Sequence, residues 1–187
     1  MNQLGTYFLS YCVTDSSGNG PVCVDRTVIV EDNTPPTLTM IGANPFILPV
    51  HQNFKDPSVD IVDNYYSFAN GEIILTTNST VNTYVLGTYT VTYQAVDGSG
   101  NVSAIMTRTV EVVDQIAPTI ELLGSTTVTI ERWQDYVDAG VKVHDNYDAE
   151  AVLTINNNSN GTYPDNTFEE GLYTYSYSVC DVSGNCS

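Results

Sequence analysis

The stretch GTYTVTYQAVDGSGN at positions 87–101 decides how this chain is read. Tyr89, Val91 and Tyr93 fall on one side of an extended backbone, and Thr88, Thr90 and Thr92 on the other. Such alternation of aromatic and β-branched residues marks a half-buried strand. Asp97-Gly98-Ser99-Gly100-Asn101 then supplies residues that turn the chain back. The same stretch occurs twice more. GTYFLSYCVTDSSGN starts at Gly5 and GLYTYSYSVCDVSGN at Gly171, 82 residues before and 84 after Gly87. Four further pairs keep the spacing of 82: Arg26 and Arg108, Asp32 and Asp114, Pro36 and Pro118, Asp63 and Asp145. Recurrence at independent landmarks marks a repeat architecture.

The joints follow from proline. Asp32-Asn33-Thr34-Pro35-Pro36 and Asp114-Gln115-Ile116-Ala117-Pro118 read as short, stiff linkers, because proline fixes its own φ and holds its predecessor extended. The predicted organisation is 1–32, the C-terminal strands of a repeat; 33–114, a complete repeat; and 115–187, a repeat lacking its last strand. The chain then begins and stops within repeats, which reads as a window of a longer array. A subunit that completes its neighbour by strand addition is the alternative. In the complete repeat, strands are predicted at 37–41, 46–50, 58–62, 72–77, 81–85, 88–96 and 103–113. Seven short strands over about 80 residues without helical periodicity predict an all-β fold of tandem immunoglobulin-like antiparallel β-sandwiches.

Charge narrows the function. The chain carries 22 acidic and 5 basic residues, a formal net charge of −17. Phosphate neutralisation needs Lys and Arg, so a nucleic-acid-binding surface is excluded and an anionic membrane is a poor partner. No apolar run approaches the ~18 residues of a spanning helix. The N-terminal MNQLGTYFLSY is short, uncharged and strand-like, unlike a secretory leader. A secreted chain carries one, so a fragment or a mature form is expected.

The run from Pro118, P-T-I-E-L-L-G, is followed by Asp138-Ala139-Gly140, His144-Asp145-Asn146-Tyr147-Asp148, Gly171-Leu172-Tyr173 and Asp181-Val182-Ser183-Gly184-Asn185. This combination resembles the bacterial Ig-like repeat also found in Cry22-type pesticidal crystal proteins, and is similar to the hyalin repeat. The middle segment departs from it at Asp56-Pro57-Ser58. The resemblance implies an Ig-like sandwich in a surface or secreted multidomain protein and no catalytic residues.

Three sets of residues bear on chemistry. Cys12 and Cys23 flank one acidic turn and Cys180 and Cys186 another, while Gln94, Val96, Val102 and Ile105 stand at the corresponding places of the middle segment. Disulfides Cys12–Cys23 and Cys180–Cys186 are predicted, and with them an oxidising, extracellular or cell-surface location; free thiols in a reducing compartment are the other reading. Zinc is disfavoured, since His51 and His144 lie far from the cysteines.

In an Ig-like sandwich the loop after the second strand and the last hairpin loop share the pole where the preceding linker arrives. That gathers Asp145 and Asp148 with Asp181 and Asp114, and Asp63 with Asp97, Asp32 and Glu31. Converging carboxylates repel unless a cation bridges them, and Ca²⁺ at the joints accepts such oxygens with flexible geometry. The plainer reading is that Asp and Asn form turns; a D-x-D-x-D loop is absent.

Finally, N-x-[ST] sequons stand at Asn78, Asn101, Asn157, Asn160 and Asn185, candidate glycan carriers in a secreted eukaryotic protein. No nucleophile elbow accompanies the histidines, and the acidic pairs lie in turns, so no enzyme is expected. Trp133, the lone tryptophan, either packs on the sandwich edge or stacks on a carbohydrate. Two functions compete: a rigid, glycosylated structural repeat of an extracellular filament, stalk or surface protein, joined head to tail to neighbouring copies, and an adhesin or carbohydrate-binding accessory module.

Overall fold

The computed structural model describes residues 3–159 and 171–187. Among the described residues the strands are β1 (Gly5–Val13), β2 (Val22–Val30), β3 (Thr37–Met40), β4 (Phe46–Pro49), β5 (Val59–Val62), β6 (Ile74–Ser79), β7 (Gly87–Val96), β8 (Met106–Val113), β9 (Thr119–Leu122), β10 (Val141–His144), β11 (Thr154–Ser159) and β12 (Tyr175–Cys180). The only helical element among the described residues is a 3-10 turn, Glu150–Val152, and no helix is long and apolar enough to cross a membrane. The fold is all-β, as the alternating sequence requires.

The strands form a four-stranded sheet in the order β4-β8-β7-β6 and the pairs β1-β2, β3-β5, β9-β10 and β11-β12. The offset of 82 carries the antiparallel pair β3-β5 onto β9-β10 residue for residue: Thr37 faces Val62 as Thr119 faces His144. The chain divides into two compact units, one of Met1–Phe46, Lys55–Val81 and Tyr89–Val110, the other of Ile47–Phe54, Asn82–Thr88 and Glu111–Ser187.

In the first unit, period-two strands bury alternate residues. Leu38, Val59 and Ile61 from β3 and β5, and Val91, Tyr93 and Ala95 from β7, are buried, the inward-facing pattern of a sandwich. Fully burying one such aliphatic side chain is worth roughly 1.5–3 kcal/mol. The hairpin β1-β2 is exposed along nearly its whole length. In the second unit, Val143, Leu153 and Val179 form a buried cluster with Ile120 and Val141 against it.

Two expected strands change. Residues 81–85 form no strand, with a turn at 83–84, although Val81 and Val85 invite a strand reading. Asn82 decides it: its Oδ1 accepts the Tyr84 N–H at 3.0 Å, an Asx-turn that takes the backbone out of a ladder. The strand expected from 103 begins at Met106, because Ser103 Oγ takes the Ala95 N–H at 2.9 Å and spends its own proton on Ala104 O.

Candidate metal centre

Three tight turns present the acidic residues. In each, the fourth residue is a glycine with left-handed φ: Gly18 at 84°, Gly100 at 88° and Gly184 at 89°. A side chain would be strained there. The turns close identically: Asp97 N–H donates to Asn101 O at 3.1 Å and Gly100 N–H to Asp97 O at 3.2 Å, and the turns at Asp15 and Asp181 repeat both bonds. Each aspartate accepts the amide of the asparagine four residues on, at 2.8 Å for Asp15–Asn19 and Asp97–Asn101 and 2.7 Å for Asp181–Asn185. In the exposed first turn, the Asn19 amide is the main reason that the Asp15 pKa lies below the ordinary carboxylate value.

The later two turns reach the linkers. Asn101 Nδ2 also donates to Asp32 O at 3.1 Å, and Asn185 Nδ2 to Asp114 O at 3.2 Å. Asp32 Oδ1 accepts Thr34 N and Asn64 Nδ2; Asp114 Oδ1 accepts Ile116 N and Asn146 Nδ2. These asparagines, which composition alone marks only as turn formers, tie each linker to its loops. The signal was their position, one residue after Asp63 and Asp145 and at the end of each D-x-x-G-N turn.

Carboxylate oxygens of Asp32, Asp63 and Asp97 lie within 4.8 Å of one another, and so do those of Asp114, Asp148 and Asp181. Asp32 and Asp97 are 6% exposed, Asp114 and Asp181 7%. Their hydrogen-bond donors named above are backbone N–H groups and asparagine amides, all neutral. One oxygen each of Asp32, Asp63, Asp114 and Asp145 is buried without a hydrogen-bond partner. A buried unsatisfied polar atom is costly, and two carboxylates ~4 Å apart repel by about 4 kcal/mol at an effective dielectric of 20. A hard cation with six to eight oxygen ligands removes both penalties. Asp145 stands beside the second triad: its Oδ2 accepts Tyr147 N and Asp148 N, each at 2.8 Å. Glu31 is exposed and joins neither triad.

Both disulfides form, Cys12–Cys23 with Cα atoms 4.1 Å apart and Cys180–Cys186 at 4.2 Å. Asn78 and Asn157 are exposed. Asn101 and Asn185 spend both amide hydrogens on the bonds above, and a glycan on Nδ2 would cost each one of them. Asn160 lies outside the described residues. Trp133 is 64% exposed, and the Arg132 guanidinium lies 5.3 Å from its ring centroid.

Sequence reasoning missed one buried constellation. Arg108 is fully buried. Its Nε donates to Tyr93 Oη at 3.1 Å and lies 3.4 Å from Asp56 Oδ1, and its other nitrogens donate to Ala43 O, Ile41 O and Ser58 O. Tyr93 Oη donates to Asp56 Oδ1 at 2.6 Å. Burial, then the bond to Asp56, raises the Tyr93 pKa above the ordinary phenol value. The signal was present in the recurrence of arginine and tyrosine at Arg26 and Tyr11.

Residues 38–112 match the family model described as bacterial surface protein, Ig-like domain. Across 191 aligned residues, 98% of this chain, the sequence is 31% identical to an uncharacterized 81.3 kDa protein of Acholeplasma phage L2. Across 198 residues, 97% of the chain, it is 29% identical to hyalin of Strongylocentrotus purpuratus. The chain spans 25% and 15% of these relatives' lengths. No solved structure matches. Together the matches support an Ig-like surface repeat, a generally non-enzymatic kind of domain.

Proposed function

We propose that this chain is a non-catalytic structural stretch of tandem Ig-like sandwiches in an extracellular filament, stalk or surface protein, and that Ca²⁺ at the two aspartate triads stiffens its head-to-tail joints. The observation that carries the reading is the buried, unpartnered carboxylate oxygen that a linker aspartate brings to each triad, Asp32 in the first and Asp114 in the second, with a further one from Asp63 in the first triad and from Asp145 beside the second. A cation held by that aspartate and by loop aspartates ties the linker to the loops. At the second linker, Leu86 N–H donates to Tyr147 Oη at 3.4 Å and the His51 ring lies 6.0 Å from that of Tyr147. These contacts hold segments before and after Asp114 together. Asn78 and Asn157 are the proposed glycan carriers, and neighbouring repeats or copies the partners.

The test is thermal unfolding with Ca²⁺ or chelator. Saturation at about 100 times Kd adds about 2.7 kcal/mol per site, so the melting temperature rises with Ca²⁺ and falls with EDTA. An unchanged melting temperature and unchanged small-angle scattering would overturn the cation's role. Exposed Trp133 beside Arg132 favours a second reading, a carbohydrate-binding module. Its lone-tryptophan fluorescence reports glycan addition, and a flat titration sinks that reading.

A further inference from the structure

The two joints share their linker aspartate and differ at one loop position. The offset of 82 that carries Asp63 onto Asp145 carries Tyr66 onto Asp148. The offset of 84 carries Gly98 onto Val182, the second residue of each D-x-x-G-N turn.

In the first unit the tyrosine lies over that turn. Tyr66 N–H donates to Asp63 Oδ1 at 2.8 Å, and its hydroxyl stands 3.0 Å from Ser99 Oγ. Tyr65 meets the ring edge to face, with centroids 4.9 Å apart. A Cβ on Gly98 would stand 2.5 Å from Tyr66 Cε1, so the ring requires glycine beneath it. In the second unit a carboxylate takes the same place. Asp148 N–H donates to Asp145 Oδ2 at 2.8 Å, as Tyr66 N–H does to Asp63. Asp148 Oδ2 then accepts the Val182 N–H at 2.9 Å, and Val182 carries an exposed side chain where Gly98 has none. The pair Tyr66 and Gly98 is thus exchanged as a unit for Asp148 and Val182.

The exchange changes the charge of the site. Asp32, Asp63 and Asp97 give the first cluster three carboxylates. Asp114, Asp148 and Asp181 give the second three as well, and Asp145, the counterpart of Asp63, stands beside them as a fourth with its Oδ1 buried and unpartnered. In oxygen-ligand sites, Ca²⁺ affinity is tuned by the number of charged ligands and by rigidity. A fourth carboxylate attracts the cation more strongly and adds to the repulsion that the cation relieves.

We infer that the residue at this position sets the cation affinity of each joint: Asp148 makes the second cluster the high-affinity Ca²⁺ site, and Tyr66 keeps the first a weaker one, so the two fill in sequence as Ca²⁺ rises. The inference rests on the cation reading of both triads, which the unpartnered oxygens of buried Asp32 and Asp114 support. A stretch built this way stiffens the joint at Asp114 at Ca²⁺ levels that leave the joint at Asp32 unfilled.

Calorimetric titration of the whole chain with Ca²⁺ is expected to resolve two sites with Kd values about tenfold or more apart, within the range that ligand charge produces in such sites. Asp114→Asn is expected to weaken the tight site and Asp32→Asn the weak one. Tyr66→Asp supplies the first cluster with a fourth carboxylate and is expected to tighten the weak site about tenfold, a gain that lost ring packing or misfolding would not give. Asp148→Asn keeps the side chain's shape and is expected to weaken the tight site about tenfold or more while leaving the weak one unchanged, with its fold checked by circular dichroism. Equal affinities in the unaltered chain, a tight site that responds to Asp32→Asn, or a weak site unmoved by Tyr66→Asp overturns the inference and leaves the cation reading standing. Absence of any Ca²⁺ binding overturns both.

Discussion

Asp32 and Asp114 differ from the other aspartates in lying on a linker, buried, with one oxygen unpartnered. Replacing either by Asn keeps the shape and removes a charge. Asp32→Asn or Asp114→Asn is expected to weaken Ca²⁺ binding at its own triad at least tenfold by calorimetry, and to raise stability in EDTA, since repulsion between close carboxylates is relieved. Arg108→Ala behaves differently. It strips the half-buried Asp56 carboxylate of its ion-pair partner and removes the guanidinium donor from Ala43 O, Ile41 O and Ser58 O, so a loss of about 3 kcal/mol is expected in urea unfolding. Asp15 supplies a pH marker. Its depressed pKa contributes stability present above the ordinary carboxylate value and lost as pH falls through the folded value. Asn19→Ala removes the largest cause of that depression and is expected to return the Asp15 titration, followed by NMR, towards 3.8.

The hairpin turns show how one backbone design takes different staples. The middle turn holds Val96 opposite Val102 where the last holds Cys180 opposite Cys186. The disulfide is therefore an addition to a turn that the Asp–Asn bonds already close. Its loop is short, with a separation of 6 against 11 for Cys12–Cys23, and the entropic model assigns such loops about 2–3 kcal/mol. Replacing Cys180 and Cys186 together by Val is expected to lower stability by no more than that in denaturant unfolding while keeping the fold, read by circular dichroism. At the same scale, Ser58 takes a left-handed φ of 67° where Gly140 takes 76°. The departure of Asp56-Pro57-Ser58 from Asp138-Ala139-Gly140 is thus one of residue type, with the turn retained.

For the whole molecule, the net charge of −17 is distributed with purpose. Six aspartates are drawn into two triads, where a divalent cation, as proposed, would offset several negative charges at once. Raising ionic strength with monovalent salt screens exposed charges but acts weakly on buried ones. The expected outcome is that 0.5 M NaCl does not replace micromolar-to-millimolar Ca²⁺ in raising the melting temperature. Equal stabilisation by NaCl would reduce the triads to general charge repulsion.

The sequence by itself determined the all-β class, the near-80-residue recurrence, both disulfides and the aspartates that converge. Each of these is local or periodic: alternation of period two, turns closed within five residues, cysteines flanking a turn. It misread 81–85, where one Asn side chain overrode two valines. It also passed over the meeting of Arg108, Asp56 and Tyr93. Those depend on side chains separated by 37 and 15 residues meeting in a desolvated interior, and on which neighbours a strand finds in its sheet. Only the tertiary structure decides such meetings, because burial turns a commonplace arginine into a group that must be paired.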